Sequence, residues 1–174
     1  AYLCRGECIL HNCPKLTDIY AASRILNYIG CKCSFSDNTA VITSAQSGHT
    51  AIPEELMQEM RSSIIFLGAL LGKNKTGTVS YPGGCELGSR PIDMHLSSFR
   101  KMGVDIKEKF GRITCSVRKN IHGAKISLPF PSVGATENIM LCAVLADGET
   151  VPDDVRRVAD VKILAVRFVQ AKHL

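Results

Sequence analysis

The chain has 174 residues, room for one ordinary domain or two small ones. Apolar residues make up 45% and charged residues 21%, which supplies a packed core and excludes a disordered chain. The net charge of +5, from 21 Lys+Arg against 16 Asp+Glu, is spread along the chain without a polybasic block, which argues against a nucleic-acid arm and leaves anionic small molecules as ligands.

In chain order, a short strand is expected at Cys8 to His11. A helix follows, with Ile19, Ala22, Ile25, Leu26 and Ile29 at helical spacing and Gly30 as its stop. Cys31, Cys33 and Phe35 alternate as in a half-buried strand, and Ala40 to Thr43 pairs back across a turn at Asp37-Asn38. Pro53-Glu54-Glu55 starts a short helix, with proline and acids in its first turn. The apolar run 64–71 is a further helix.

The same order then recurs. Val79-Ser80-Tyr81 is a strand, and Ile92, Leu96, Phe99 and Met102 stripe a helix that stops at Gly103. Residues 104–107 alternate, as do Ile113, Cys115 and Val117 against Thr114, Ser116 and Arg118. A second apolar helix is expected at 139–146. Gly6, Gly77 and Gly148 stand 71 residues apart, so the chain reads as a repeat unit at 1–76, a second at 77–147, and the start of an incomplete or divergent third at 148–174. Helices apolar all round must be buried, whereas alternating strands show one face to water. The expected fold is therefore mixed α/β, with helices inside and sheets outside.

Neither apolar run approaches the roughly 20 residues of a membrane span. No export signal is read at the start of the chain. Eight cysteines raise a secreted disulfide framework. The chain length and the placing of several cysteines inside apolar patterns favour a reduced, cytoplasmic protein instead.

Three segments could carry chemistry. In 81–93, three glycines within six residues surround Cys85, and Arg90 follows as a partner for an anion. A surface loop with an incidental thiol fits the spacing equally well. In 131–138, Ser132 is a candidate N-cap, and Gly134 lets a ligand approach free N–H groups at a helix start; an ordinary capped helix is the alternative. Arg61-Ser62-Ser63 opens the other apolar helix, where a charged guanidinium needs either a bound anion or an internal carboxylate. Cys31, Cys33, Cys115 and Cys142 read as core residues. Cys4, Cys8, His11 and Cys13 form a looser cluster with no C-x-x-C pair, so no metal site is assigned.

Taken together, three stretches resemble the UDP-N-acetylglucosamine enolpyruvyl transferases (1-carboxyvinyltransferases). They are Arg61-Ser62-Ser63-Ile64 with Leu67-Gly68, then Pro82-Gly83-Gly84-Cys85 with Gly88-Ser89-Arg90-Pro91-Ile92-Asp93-Met94-His95-Leu96, and Pro131-Ser132-Val133-Gly134-Ala135-Thr136-Glu137-Asn138-Ile139-Met140. The resemblance runs from about Gly6 to Thr150 and implies an inside-out α/β barrel with three repeats in each of two domains. It implies transfer of the enolpyruvyl group of phosphoenolpyruvate to the 3-hydroxyl of UDP-N-acetylglucosamine, with release of phosphate and no cofactor, in the first committed step of peptidoglycan synthesis. Cys85 matches the family's general acid, which is also the thiol alkylated by fosfomycin. Arg61, Arg90, Pro91, Ile92, Asp93, Met94, Ser132, Val133 and Gly134 match substrate-binding positions.

The resemblance also marks departures. The family's N-terminal Lys-Asn pair, its second domain and the pattern of its third repeat after Thr150 are not matched. Negligible turnover by this chain alone is the resulting expectation. A non-enzymatic remnant that binds UDP-sugars or a partner is the alternative. Apolar helix surface left without a third unit would be covered by self-association or by the aliphatic stretch after 150.

Overall fold

A computed structural model describes residues 1–44, 48–83 and 92–152. The elements are β1 (Glu7–Leu10), α1 (Thr17–Tyr28), β2 (Lys32–Ser36), β3 (Thr39–Thr43), α2 (Glu54–Gln58) and α3 (Ile65–Asn74), followed by β4 (Thr76–Ser80), α4 (Asp93–Lys101), β5 (Asp105–Lys109), β6 (Arg112–Ser116), β7 (Lys125–Ile126), α5 (Val133–Ala143) and β8 (Val151–Pro152).

Two antiparallel three-stranded sheets have the same plan. Their orders are β1-β3-β2 and β4-β6-β5, so in each the third strand in sequence sits in the middle. Alternation decides which face is wet. On β6, Ile113 and Cys115 are buried while Arg112, Thr114 and Ser116 are exposed; on β3, Ala40 and Ile42 point into the core. Both hairpins turn in two residues with positive φ, Asp37 and Asn38 in the first and Phe110 and Gly111 in the second. That is the type I′ geometry, whose twist matches the strands it joins.

The helices preceding these hairpins end alike. At α1 the Cys31 N–H donates to the Leu26 carbonyl at 2.9 Å and the Gly30 N–H to Asn27 at 3.1 Å. At α4 the Val104 N–H donates to Phe99 and the Gly103 N–H to Arg100, both at 3.1 Å. Gly30 and Gly103 take φ of 101° and 87°, which completes a Schellman motif at each end.

α3 is the central helix. Residues 66–72 are all buried, as its uniform apolarity requires. α5 packs along it at close range. A Cβ on Gly68 would stand 2.2 Å from Asn138 Oδ1 and 2.3 Å from the Asn138 carbonyl oxygen, and one on Gly72 would stand 2.6 Å from the Leu141 carbonyl oxygen. Only glycine permits that separation.

α5 departs from the expected pattern in two ways. It begins at Val133, earlier than the apolar run suggests, because Ser132 caps it. It is also enclosed on one side only: Ala135, Thr136, Asn138, Ile139 and Cys142 are buried, whereas Val133 is 41% exposed and Leu145, just past its end, 56%. α3 and α4 cover the buried side. Among the described residues, no helix is long and apolar enough to cross a membrane.

Candidate functional site

The segments singled out from sequence meet at the starts of three helices. Arg61 lies in the turn at 61–64 that leads into α3, Ile92, Asp93 and Met94 lie at the start of α4, and Ser132, Val133 and Gly134 lie at the start of α5. Cys85, Arg90 and Pro91 lie outside the described residues.

The turn before α3 is tightly wound. The Ile65, Phe66 and Leu67 N–H groups donate to the Ser62, Ser63 and Ile64 carbonyls, each three residues back, at 3.0, 3.1 and 3.1 Å. The Ser63 hydroxyl is fully buried and donates to the Met57 carbonyl at 2.7 Å. The Gly83 N–H reaches the same carbonyl at 3.3 Å. One acceptor at the end of α2 therefore ties the Arg61 turn to Gly83, the last described residue before 84–91.

Gly83 is a glycine for a packing reason: a Cβ there would stand 2.5 Å from the Gln58 carbonyl oxygen. Two residues earlier, the Tyr81 hydroxyl donates to Glu108 Oε2 at 2.9 Å, and that bond to the carboxylate raises the phenol's pKa. Glu108 also holds Arg100 at 3.1 Å. The segment at 81–83 is thus held by α2 on one side and β5 on the other.

At the start of α4, Ile92 is buried, Asp93 exposed and Met94 half-buried. At the start of α5, Ser132 Oγ accepts from the Ala135 N–H at 3.4 Å. The Ser132 carbonyl takes both the Thr136 N–H at 3.0 Å and the Thr136 hydroxyl at 2.8 Å. Val133 and Gly134 keep exposed or half-exposed positions beside it.

Two buried polar side chains, not assigned from sequence, join these starts. Asn138 is fully buried, and His95 is 7% exposed. Asn138 Oδ1 accepts the Gly68 N–H at 2.7 Å, and its Nδ2 donates to the Ile64 carbonyl at 3.0 Å. Nδ2 also lies 2.9 Å from His95 Nδ1. His95 Cε1 in turn lies 3.8 Å from the position a Cβ on Gly134 would take. In the sequence Asn138 stands only as a polar residue immediately before the apolar run at 139–146. Nothing local in the sequence identified its partners.

Helix starts carry partial positive charge, so three brought together suit an anionic ligand such as a diphosphate, although the α3 N–H groups at 65–68 are already bonded within the protein. The described cysteines do not share this setting. Burial pushes the Cys115 and Cys142 thiols up to about 12 and the half-buried Cys33 thiol up to about 11. These are packing groups and poor nucleophiles at neutral pH. Among the described residues, no three His, Cys, Asp or Glu side chains gather as a metal site would need, the cluster of Cys4, Cys8, His11 and Cys13 included.

A family model described as EPSP synthase (3-phosphoshikimate 1-carboxyvinyltransferase) matches residues 1–170. The chain is 49% identical over 146 residues to UDP-N-acetylglucosamine 1-carboxyvinyltransferase 2 of Caldanaerobacter subterraneus subsp. tengcongensis, covering 84% of this chain and 35% of that protein. It is 44% identical over 149 residues to UDP-N-acetylglucosamine 1-carboxyvinyltransferase 1 of Carboxydothermus hydrogenoformans, covering 86% of this chain and 35% of the relative. The chain thus spans about a third of the length of these relatives. Among solved structures, the enolpyruvyl transferase NikO from Streptomyces tendae superposes with a TM-score of 0.73 at 16% identity, over 92% of this chain and 39% of that one. EPSP synthase from Acinetobacter baumannii gives 0.75 at 17% identity, over 95% and 39%. At such identities the two structures speak to the fold alone.

Proposed function

The chain belongs to the EPSP synthase family of carboxyvinyl (enolpyruvyl) transferases, and on that premise we propose that it is one part of an enzyme that moves the enolpyruvyl group of phosphoenolpyruvate to the 3-hydroxyl of UDP-N-acetylglucosamine, releasing phosphate. The observation that carries this reading is the 49% identity to a relative named for that activity, over 84% of the chain. The setting is the first committed step of peptidoglycan synthesis in the bacterial cytoplasm.

In this reading the units at 1–76 and 77–147, with the start of a third at 148–174, form part of one domain. Cys85 delivers a proton to the methylene carbon of phosphoenolpyruvate while the sugar hydroxyl, giving up its proton to a carboxylate base, adds to the neighbouring carbon. Loss of a proton from the new methyl group then expels phosphate and restores the double bond. A thiol with an ordinary pKa near ~8.5 is mostly protonated at neutral pH, as an acid must be. Arg61 and Arg90 face phosphate groups. Pro91, Ile92, Asp93 and Met94, together with Ser132, Val133 and Gly134, hold the sugar nucleotide. The convergence of the α3, α4 and α5 starts supports a shared anionic ligand at these positions.

An active site built between two domains works only when both position the reactants. This chain alone is therefore expected to release no phosphate above background when given both substrates, in a continuous phosphate assay. Steady turnover by the isolated chain would refute that expectation. Titration calorimetry with UDP-N-acetylglucosamine tests the other half of the reading: weak, saturable heat is expected. Absence of heat would favour an interaction remnant whose open α5 face is covered by self-association or by a further domain.

A further inference from the structure

We propose that Asn138 is a positioning residue: its buried carboxamide, bonded to Gly68, Ile64 and His95, sets the starts of α3, α4 and α5 relative to one another. The proposal rests on the reading of those three starts as one sugar-nucleotide site. Asn138 itself touches no ligand in this account.

Donor and acceptor logic leaves one arrangement. The Gly68 N–H can only donate, so the atom facing it at 2.7 Å must be the amide oxygen. The Ile64 carbonyl can only accept, so the atom at 3.0 Å from it must be the amide nitrogen. That nitrogen's second hydrogen then points to His95 Nδ1 at 2.9 Å, which must accept it. His95 is thereby held as the neutral tautomer with its proton on Nε2. The carboxamide makes three bonds to three separate points, and none is to its own helix.

Those three points lie close to the proposed ligand-facing segments. Gly68 and Ile64 frame the first turn of α3, directly after the turn carrying Arg61. His95 is the next residue after Met94 and rests 3.8 Å from where a Gly134 Cβ would be. The partners lie 70, 74 and 43 residues from Asn138, so no local structure holds them in register. A buried polar group of this kind is costly unless every bond is made, which makes the arrangement switch-like: satisfied in one geometry and penalised in others.

The test uses the full chain labelled with ¹⁵N. UDP-N-acetylglucosamine is titrated into the parent, Asn138→Ala, and Ile25→Ala as a control in the buried face of α1. Asn138→Ala is expected to weaken affinity about tenfold, the scale of one lost net hydrogen bond. Ile25→Ala is expected to lower the melting temperature without changing affinity. Equal affinity in the parent and Asn138→Ala, or an equal loss in the control, would overturn the proposal.

If the parent binds no UDP-N-acetylglucosamine, the substrate reading fails and the amide spectra still decide this one. Asn138→Ala must then shift the signals of 61–63 and 92–94 together, and shifts confined to α5 would overturn the proposal. Should Asn138→Ala not fold, Asn138→Asp keeps the shape and the acceptor for Gly68 but removes both N–H donors. It is expected to place a proton on His95 Nδ1, visible in the ring ¹⁵N shifts, and an unchanged ring would overturn the proposal.

Discussion

At the scale of single residues, the glycines and the buried polar groups do the most. Gly68 is where two helix backbones meet, and the space for a methyl group there is already filled by Asn138. Gly68→Ala would gain helix propensity of under about 1 kcal/mol. It would also force α3 and α5 apart and stretch the Asn138 bond. Overpacking of this kind costs about 3 kcal/mol, so the clash wins. The expected outcome is a net loss of at least about 2 kcal/mol in urea unfolding, whereas Gly111→Ala, with nothing within 4 Å of its Cβ position, tests left-handed strain alone. Sequence pattern was a good guide to Cys115 and Cys142, because alternation and helical spacing report burial directly. It was silent on Asn138 and His95, because their roles consist of bonds to residues far away in the chain.

At the scale of elements, the two helix–hairpin units show how local chemistry writes structure. A periodic apolar stripe, a glycine stop and a two-residue turn suffice to lay down α1-β2-β3 and α4-β5-β6. The second turn carries a flaw. Phe110 adopts φ of 51° and is 91% exposed, with Lys109 Nζ 4.9 Å from its ring centroid. A left-handed conformation costs an ordinary side chain about 1–2 kcal/mol, and asparagine much less. The exposed cation–π contact returns only about 0.5 kcal/mol. Phe110→Asn is therefore expected to stabilise the protein by about 0.5 kcal/mol, read as a rise in melting temperature. β7 and β8 were not legible from sequence. Each is two residues long and exists only because its partner, 26 residues away in the register Lys125↔Val151, supplies the hydrogen bonds. The candidate N-cap at Ser132 is the observed one, and α5 starts there, ahead of the apolar run at 139–146, because the cap outweighs the interruption by Gly134, Thr136 and Glu137.

At the scale of the whole molecule, sheets outside and α3 inside follow from hydropathy. The stability of that arrangement should depend on pH in a particular direction. The Cys115 and Cys142 thiols are raised by burial from 9.0 to about 12. The folded protein therefore keeps protons that the unfolded chain releases above about pH 9. Their contribution is fully present below that pH and is lost as pH rises toward 12. The slope is about 1.4 kcal/mol per pH unit for each thiol. Urea unfolding at successive alkaline pH values should show it, and Cys142→Ala should make the fall shallower even though the variant starts from lower stability.

The sequence by itself determined the order of the elements other than β7 and β8, the inward and outward faces of β3 and β6, the burial of α3, and the kinship carried by the 61–68, 82–96 and 131–140 stretches. These depend on side-chain period, on turn chemistry and on runs of contiguous residues, all of which are local. The tertiary structure alone decided that α3 and α5 approach to glycine contact, that α5 stays open on one side, that Met57 joins the Arg61 turn to Gly83, and that Asn138 binds three helix starts together. Each of these is a contact between residues far apart in sequence. Its existence depends on how whole elements pack, and hydropathy constrains which faces meet without setting the distance or register at which they do.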